Sequence, residues 1–227
     1  MNRSFTIFPA AVIALNLMVP LSFGQDIEDE NCTQTCGFER SVPIIAQLYD
    51  DIVGMAAADR FAREQIIDLL SQEGMTVSET EHAADRAGAV VEQIDRQNAD
   101  RLIRILETHS WQRIAEIDPH LFRNAWLIAQ HATHDPEFQQ ETLRAIEPLF
   151  EQGLIEGQQY ALLWDRVSLQ QNGYQHFGTQ YHCIAGIRVL HPVEDENFLG
   201  ELRQSIGIGL VEEQMLIANE LYGDCPE

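Results

Sequence analysis

Residues 118–136 read DPHLFRNAWLIAQHATHDP, and this stretch decides the fold. Asp118 before Pro119 pairs a helix cap with a proline in the first turn, where the missing N–H is no loss. The helix it opens is predicted to run to about Thr133. Leu121, Phe122, Ala125, Trp126, Leu127, Ile128 and Ala129 leave it almost no polar face. A helix apolar all round is buried, so other helices must surround it. Asp135-Pro136 restarts the chain as a second helix to about Phe150, with Gly153 just beyond.

The flanking segments supply those partners. Ser41 before Val42-Pro43 predicts a helix to about Leu70, with Ile44, Ile45, Leu48, Ile52, Met55 and Ala56 at spacings of three and four. Gly74 ends it. Ser78 with Glu81 reads as a capping box opening a helix to about Leu106, whose stripe includes Ala87, Val90, Val91, Ile94 and Leu102. A further helix is predicted over residues 158–171, nearly continuous in apolar residues from Tyr160 to Val167 and closed by Gly173. Residues 174–193 break the pattern and predict extended chain or a short hairpin. Two short helices follow, at about 197–205 and 210–221. The expected fold is mostly α: one bundle-like array over residues 41–227 with a short extended or hairpin appendage.

The N-terminus reads differently. Arg3 precedes an apolar run from Phe5 to Val19, and Leu21-Ser22-Phe23-Gly24 offers small residues for cleavage after Gly24. Residues 1–24 are therefore expected to be a signal peptide, since the run is shorter than the ~20 residues of a membrane span. Residues 25–40 form an acidic N-terminal segment. The mature chain is expected in the periplasm or secreted, with no membrane insertion after cleavage.

Charge narrows the chemistry. The formal net charge is −22, and all 14 basic residues are arginine. Without lysine there is no Schiff base, no Ser–Lys dyad and no phosphate-loop lysine. The acidic balance opposes nucleic acid as a partner. Four cysteines, Cys32, Cys36, Cys183 and Cys225, read as two disulfides in an exported domain, and spacing leaves all three pairings open.

The informative feature is polar residues on apolar helices. Gln130, His131, His134 and Asp135 end the first buried helix, while Asp165 and Arg166 interrupt another. Unpaired buried polar groups cost several kcal/mol, about 2–7 for an amide or hydroxyl, so these residues must meet partners or surround a ligand. Neighbours on a helix point about 100° apart, so Asp165 and Arg166 need separate partners. Gln175-His176-Phe177-Gly178-Thr179-Gln180 is dense in hydrogen-bonding groups and suits a loop over a pocket. The expected site gathers His131, Asp165 and Arg166 as reacting or pairing groups, with Gln130, His134, Gln175, Thr179 and Gln180 as ligand contacts. Asp135 before Pro136 suits a helix cap. No metal is assigned. Zinc on His131 and His134, with Asp135, His176, His182 or Cys183, is the minor alternative. No G-x-S-x-G elbow and no H-E-x-x-H motif occurs.

The run from Ala125 to Gln139, with its QHA-x-HDPEFQ pattern, then Asp165-Arg166-Val167, then Gln175 to Gln180, resembles a bacterial family of unknown function. Asp95, Asn98 and Trp111 join the resemblance more loosely, and Phe177 stands where tyrosine is common. The resemblance spans roughly residues 90–182. It implies that the three motifs belong together and names no activity. Three functions compete. The first is a pocket for a small polar ligand, bounded by His131, Asp165, Arg166 and the 175–180 loop. The second is a hydrolase-like enzyme with His131 as general base, paired to Asp165. The third is a structural domain with a buried polar network.

Overall fold

The computed structural model describes residues 38–70, 74, 76–223 and 225. The expected signal peptide, Cys32, Cys36 and the acidic segment up to residue 37 lie outside that range. Eight helices and one hairpin follow in order: α1 (Phe38–Leu70), α2 (Val77–Leu106), α3 (Trp111–Ile117), α4 (Pro119–His131), α5 (Pro136–Glu151), α6 (Gly157–Asn172), β1 (Tyr181–Ile184), β2 (Ile187–Leu190), α7 (Leu199–Ser205) and α8 (Val211–Tyr222).

The fold is mostly α, as the periodicity predicts. Several boundaries differ, and one helix, α3, was not expected. Helix α1 begins at Phe38, ahead of Ser41. The capping box of α2 is Thr76 with Glu79 rather than Ser78 with Glu81. Helix α3, too short to show a periodic stripe, is capped by Ser110 and packs Trp111 edge-on against Phe122.

Helix α4 lies at the centre, with Leu121, Phe122, Ala125, Trp126, Leu127, Ile128 and Ala129 all buried. Asp118 caps it through the His120 N–H, and the Tyr49 hydroxyl donates to the same carboxylate. Side-chain pairings fix how α1 and α2 lie. Arg101 reaches Asp51, Asn98 donates to the Met55 carbonyl and Arg63 reaches Asp95, so α1 and α2 run antiparallel. Tyr49 meets Asp118, Arg60 meets Asn124 and Arg63 meets His131, so α1 and α4 run parallel. Helices α5 and α6 pair with each other, and both touch α4. At the start of α6, Gly157 lies against the Ile206 backbone, where a Cβ would collide with the carbonyl oxygen.

The hairpin pairs Tyr181 with Leu190 and Ile184 with Ile187. Its two-residue turn, Ala185-Gly186, has φ of +48° and +79°; left-handed residues at both positions match the twist of the strands. Arg188 on β2 donates to Asn219 and to the Gly223 carbonyl, and stacks over Tyr181. The Cys183–Cys225 disulfide, Cα atoms 5.5 Å apart, holds the chain beyond α8 on the same hairpin. It closes a separation of 42 residues. Cross-linking restricts the unfolded chain, so replacing Cys183 and Cys225 by alanine is expected to cost about 4 kcal/mol in urea unfolding. A change under about 1 kcal/mol would mean that the hairpin and α8 hold together without it.

Candidate functional site

Polar side chains on apolar stripes converge beside α4. On α1, Asp59 and Arg63 extend the row Ile52, Met55, Ala56 and are buried. On α2, Asp95 and Asn98 interleave with buried Val91, Ala99 and Leu102. Helix α4 brings His131 between them, 3% exposed. Arg63 is the hub. One terminal nitrogen donates to both Asp95 oxygens at 2.8 and 3.0 Å and lies 3.2 Å from Asp59 Oδ1, while Nε is 3.1 Å from His131 Nδ1. Asp59 Oδ1 is 2.9 Å from that same Nδ1.

Nδ1 cannot satisfy both neighbours. It donates to Asp59 if protonated and accepts from Arg63 if not. In both tautomers Nε2 is left over, and Nε2 is buried without a partner. Asp59 Oδ2, Gln130 Oε1, Trp126 Nε1 and Arg166 Nε are also buried and unpaired. These five atoms sit on α1, α4 and α6, and each unmade bond costs about 1–3 kcal/mol.

Burial and charge set the protonation states. Burial pushes the His131 imidazole down to about 4, and the Arg63 and Arg166 charges oppose protonation against the pull of Asp59. Burial raises the Asp59 carboxyl, but its bond to His131 and the Arg63 charge hold it below the ordinary value. Burial carries Asp95 up to about 7, against Arg63 and with the help of Asp59. His131 is therefore neutral and Asp59 ionised at neutral pH. Burial also lowers Arg166 to about 10.

His131 and Asp95 have opposite linkage. A histidine with a depressed folded pKa loses stability as pH falls from its unfolded value near 6.5 towards 4. A carboxyl with a raised folded pKa gains stability as pH falls from 7 towards its unfolded value near 3.9. The two oppose each other in the native chain. In EDTA-treated protein, Asp95→Asn is expected to lose on the order of 3 kcal/mol between pH 7 and 4, whereas His131→Gln gains stability over the same range. Parallel pH slopes in urea unfolding of the two variants would refute this assignment.

The sequence-predicted residues divide into two groups on α6. Arg166 donates to Gln180 Oε1, and Gln180 and Gln130 both donate to the Leu162 carbonyl. Asp95 favours the Arg166 charge, and Arg166 in turn opposes protonation of His131. This group faces the α1–α2–α4 cluster. Asp165 belongs to the second group. It accepts from the backbone N–H of His176, Phe177 and Thr179 and from the Thr179 hydroxyl, at 2.7–2.9 Å. The expected Asp165–His131 pair is thus not formed, and Asp59 is the carboxylate on His131. Gln175 closes the loop on itself, exchanging bonds with Gln180 and donating to the His191 carbonyl. Arg203 brackets the loop from the other side, donating to the Phe177 and Gly178 carbonyls.

The HDPEFQ segment is resolved into structural parts. Asp135 caps α5 through the Phe138 N–H. Gln139 turns back to donate to the Ala129 and Gln130 carbonyls, closing the open end of α4, and accepts from Gln170. His134 is half-buried near Arg96 and Glu92, away from the Arg63 hub. His176 pairs with Glu194, and Cys183 is in the disulfide. The zinc set drawn around His131 and His134 therefore does not assemble. Among the described residues the metal-capable group is instead Asp59, Asp95 and His131, whose ligand atoms lie within 4.8 Å of one another. An open groove of about 520 Å³ lies elsewhere, lined by Ile44, Leu48, Asp51, Arg101 and His109.

The sequence reading missed Asp59 and Arg63. Their signal was present: charged residues at stripe positions of α1, four apart. Asp95 was visible only as a loose part of the resemblance.

The sequence model of a family of unknown function, DUF6624, matches residues 46–225. No curated protein and no solved structure matches the chain.

Proposed function

Since the chain belongs to that uncharacterised family, its function has to be argued from the site, and we propose that it binds a small polar molecule where α1, α2, α4 and α6 meet. The observation that carries this is the group of unpaired buried atoms there, above all His131 Nε2 and Arg166 Nε. Native interiors pair nearly all such groups, so their concentration at one place is read as the imprint of a partner. Arg166 Nε offers a donor to an oxygen of the ligand. With Nδ1 donating to Asp59, His131 Nε2 offers an acceptor. Gln130 and Gln180 fix the wall by holding the Leu162 carbonyl.

A specific observation favours an enzymatic second reading. Asp59 and His131 form a carboxylate–imidazole pair with the distal nitrogen free, the arrangement that lets an imidazole take a proton from water. Asp59 would orient the ring, and Arg166 would hold the oxygen that gains charge.

The test uses EDTA-treated protein and long-range proton–nitrogen spectra of the imidazole and guanidinium groups, with acetate, inorganic phosphate and acetamide as probes. At least one probe should shift the His131 and Arg166 signals saturably, and Arg166→Gln should abolish the response. No response to any probe at about 10 mM, an affinity below any useful binding energy, would leave the cluster as a structural network. The Cys183–Cys225 disulfide suits an oxidising compartment, and no described helix is long and apolar enough to cross a membrane. The same proposal therefore places the protein in the periplasm or outside the cell.

A further inference from the structure

We propose that Asp59, Asp95 and His131 form a binding site for a divalent transition-metal ion, and that Arg63 stands in for the ion when it is absent. The inference deepens the binding reading and rests on it: with the ion on Nδ1, His131 Nε2 carries the proton and turns from an acceptor into a donor towards the polar molecule.

Three helices deliver the ligands. Asp59 comes from α1, Asp95 from α2 and His131 from α4. One atom from each lies within 4.8 Å of the other two, and two carboxylates with one imidazole suit zinc, manganese or iron. All three side chains are at least nine-tenths buried or close to it, with Asp59 2% and His131 3% exposed. The centre is held by the Arg63 guanidinium, which touches all three. One positive group fits the position, but imperfectly. Asp59 Oδ2 and His131 Nε2 keep no partner, and Arg63 and Asp59 make incompatible demands on His131 Nδ1. A metal ion removes that conflict, since it takes the imidazole lone pair and both carboxylates at once. With the arginines retained, the added positive charge would draw an anionic ligand towards Arg166.

The experiment is calorimetric titration of the metal-free full chain with manganese chloride and with zinc chloride, alongside Asp95→Asn, His131→Gln and Arg63→Met. One equivalent should bind to the unaltered chain. Asp95→Asn and His131→Gln should each weaken binding at least about tenfold, while Arg63→Met should strengthen it by removing the competing cation. Should Arg63→Met prove unstable without metal, a rise in its melting temperature on adding the ion reads the same competition. Absence of binding at about 1 mM metal to both the unaltered chain and Arg63→Met would overturn the proposal. So would binding that survives the double variant of Asp95 and His131, which would locate the ion on surface acids. A failed metal titration leaves the probe response of EDTA-treated protein untouched, so the two readings fail separately.

Discussion

Replacing Asp165 with alanine is expected to destabilise the protein by about 3–5 kcal/mol, the range for removing one partner of a buried charged network. Asp165 is fully buried and accepts three backbone N–H bonds and one hydroxyl bond from the 176–179 segment. Without it those donors face an apolar void. Arg203, 1% exposed, would lose one of the carboxylate charges that favour its own, with Glu212 and Glu213 remaining. The loop is otherwise tightly held, since Gly178 turns at φ +64° against Leu199 and Gln175 pairs with Gln180. Asp165→Asn should be nearly as costly, since its amide nitrogen would place a donor among donors. Urea unfolding measures the loss. Amide hydrogen exchange at His176, Phe177 and Thr179 should rise in parallel. A loss below about 1 kcal/mol with unchanged exchange would show that the clamp is not a stabilising element.

Arg63→Met should have a similar effect in metal-free protein, about 3–5 kcal/mol. The guanidinium bridges Asp95 and Asp59 and reaches His131, all buried. Methionine fills most of the volume but leaves two carboxylates without a cation. The expected signature is its dependence on pH. Protonating Asp95, already pushed up to about 7 by burial, removes half the uncompensated charge. The variant should therefore recover part of its stability between pH 7 and 5, where the folded carboxyl is protonated and the unfolded one is not. A loss that is constant over that range would assign the effect to packing instead of charge.

The partners of Asp165 and of its neighbour Arg166 separate the two faces of α6. Asp165 holds a loop, and Arg166 belongs to the site. The adjacent pair looked like one feature in the sequence, and the helical turn of about 100° between them sends each to a different partner. The 175–180 loop has its backbone fixed from both sides, by Asp165 on its N–H groups and by Arg203 on its carbonyls. Gln180 is its contribution to the site.

The order of residues alone specified every helix except α3, their succession and the burial of α4, because these follow from local spacing of apolar residues, caps and breakers. Ser110, Asp118 and Asp135 act as caps within two or three residues of where they stand. It also determined that Gln130, His131, Asp165 and Arg166 had to be paired, since burial of a polar group on an apolar helix carries its own cost. Which partner each found was decided only by the tertiary structure. Asp59 and Arg63 lie about 70 positions before His131, and nothing local ranks Asp59 above Asp165 as its carboxylate. That choice depends on α1 lying parallel to α4 and antiparallel to α2, a matter of how three apolar stripes pack. The disulfide follows the same rule: four cysteines allow three pairings, and Cys183 meets Cys225 because α8 docks on the hairpin through Arg188.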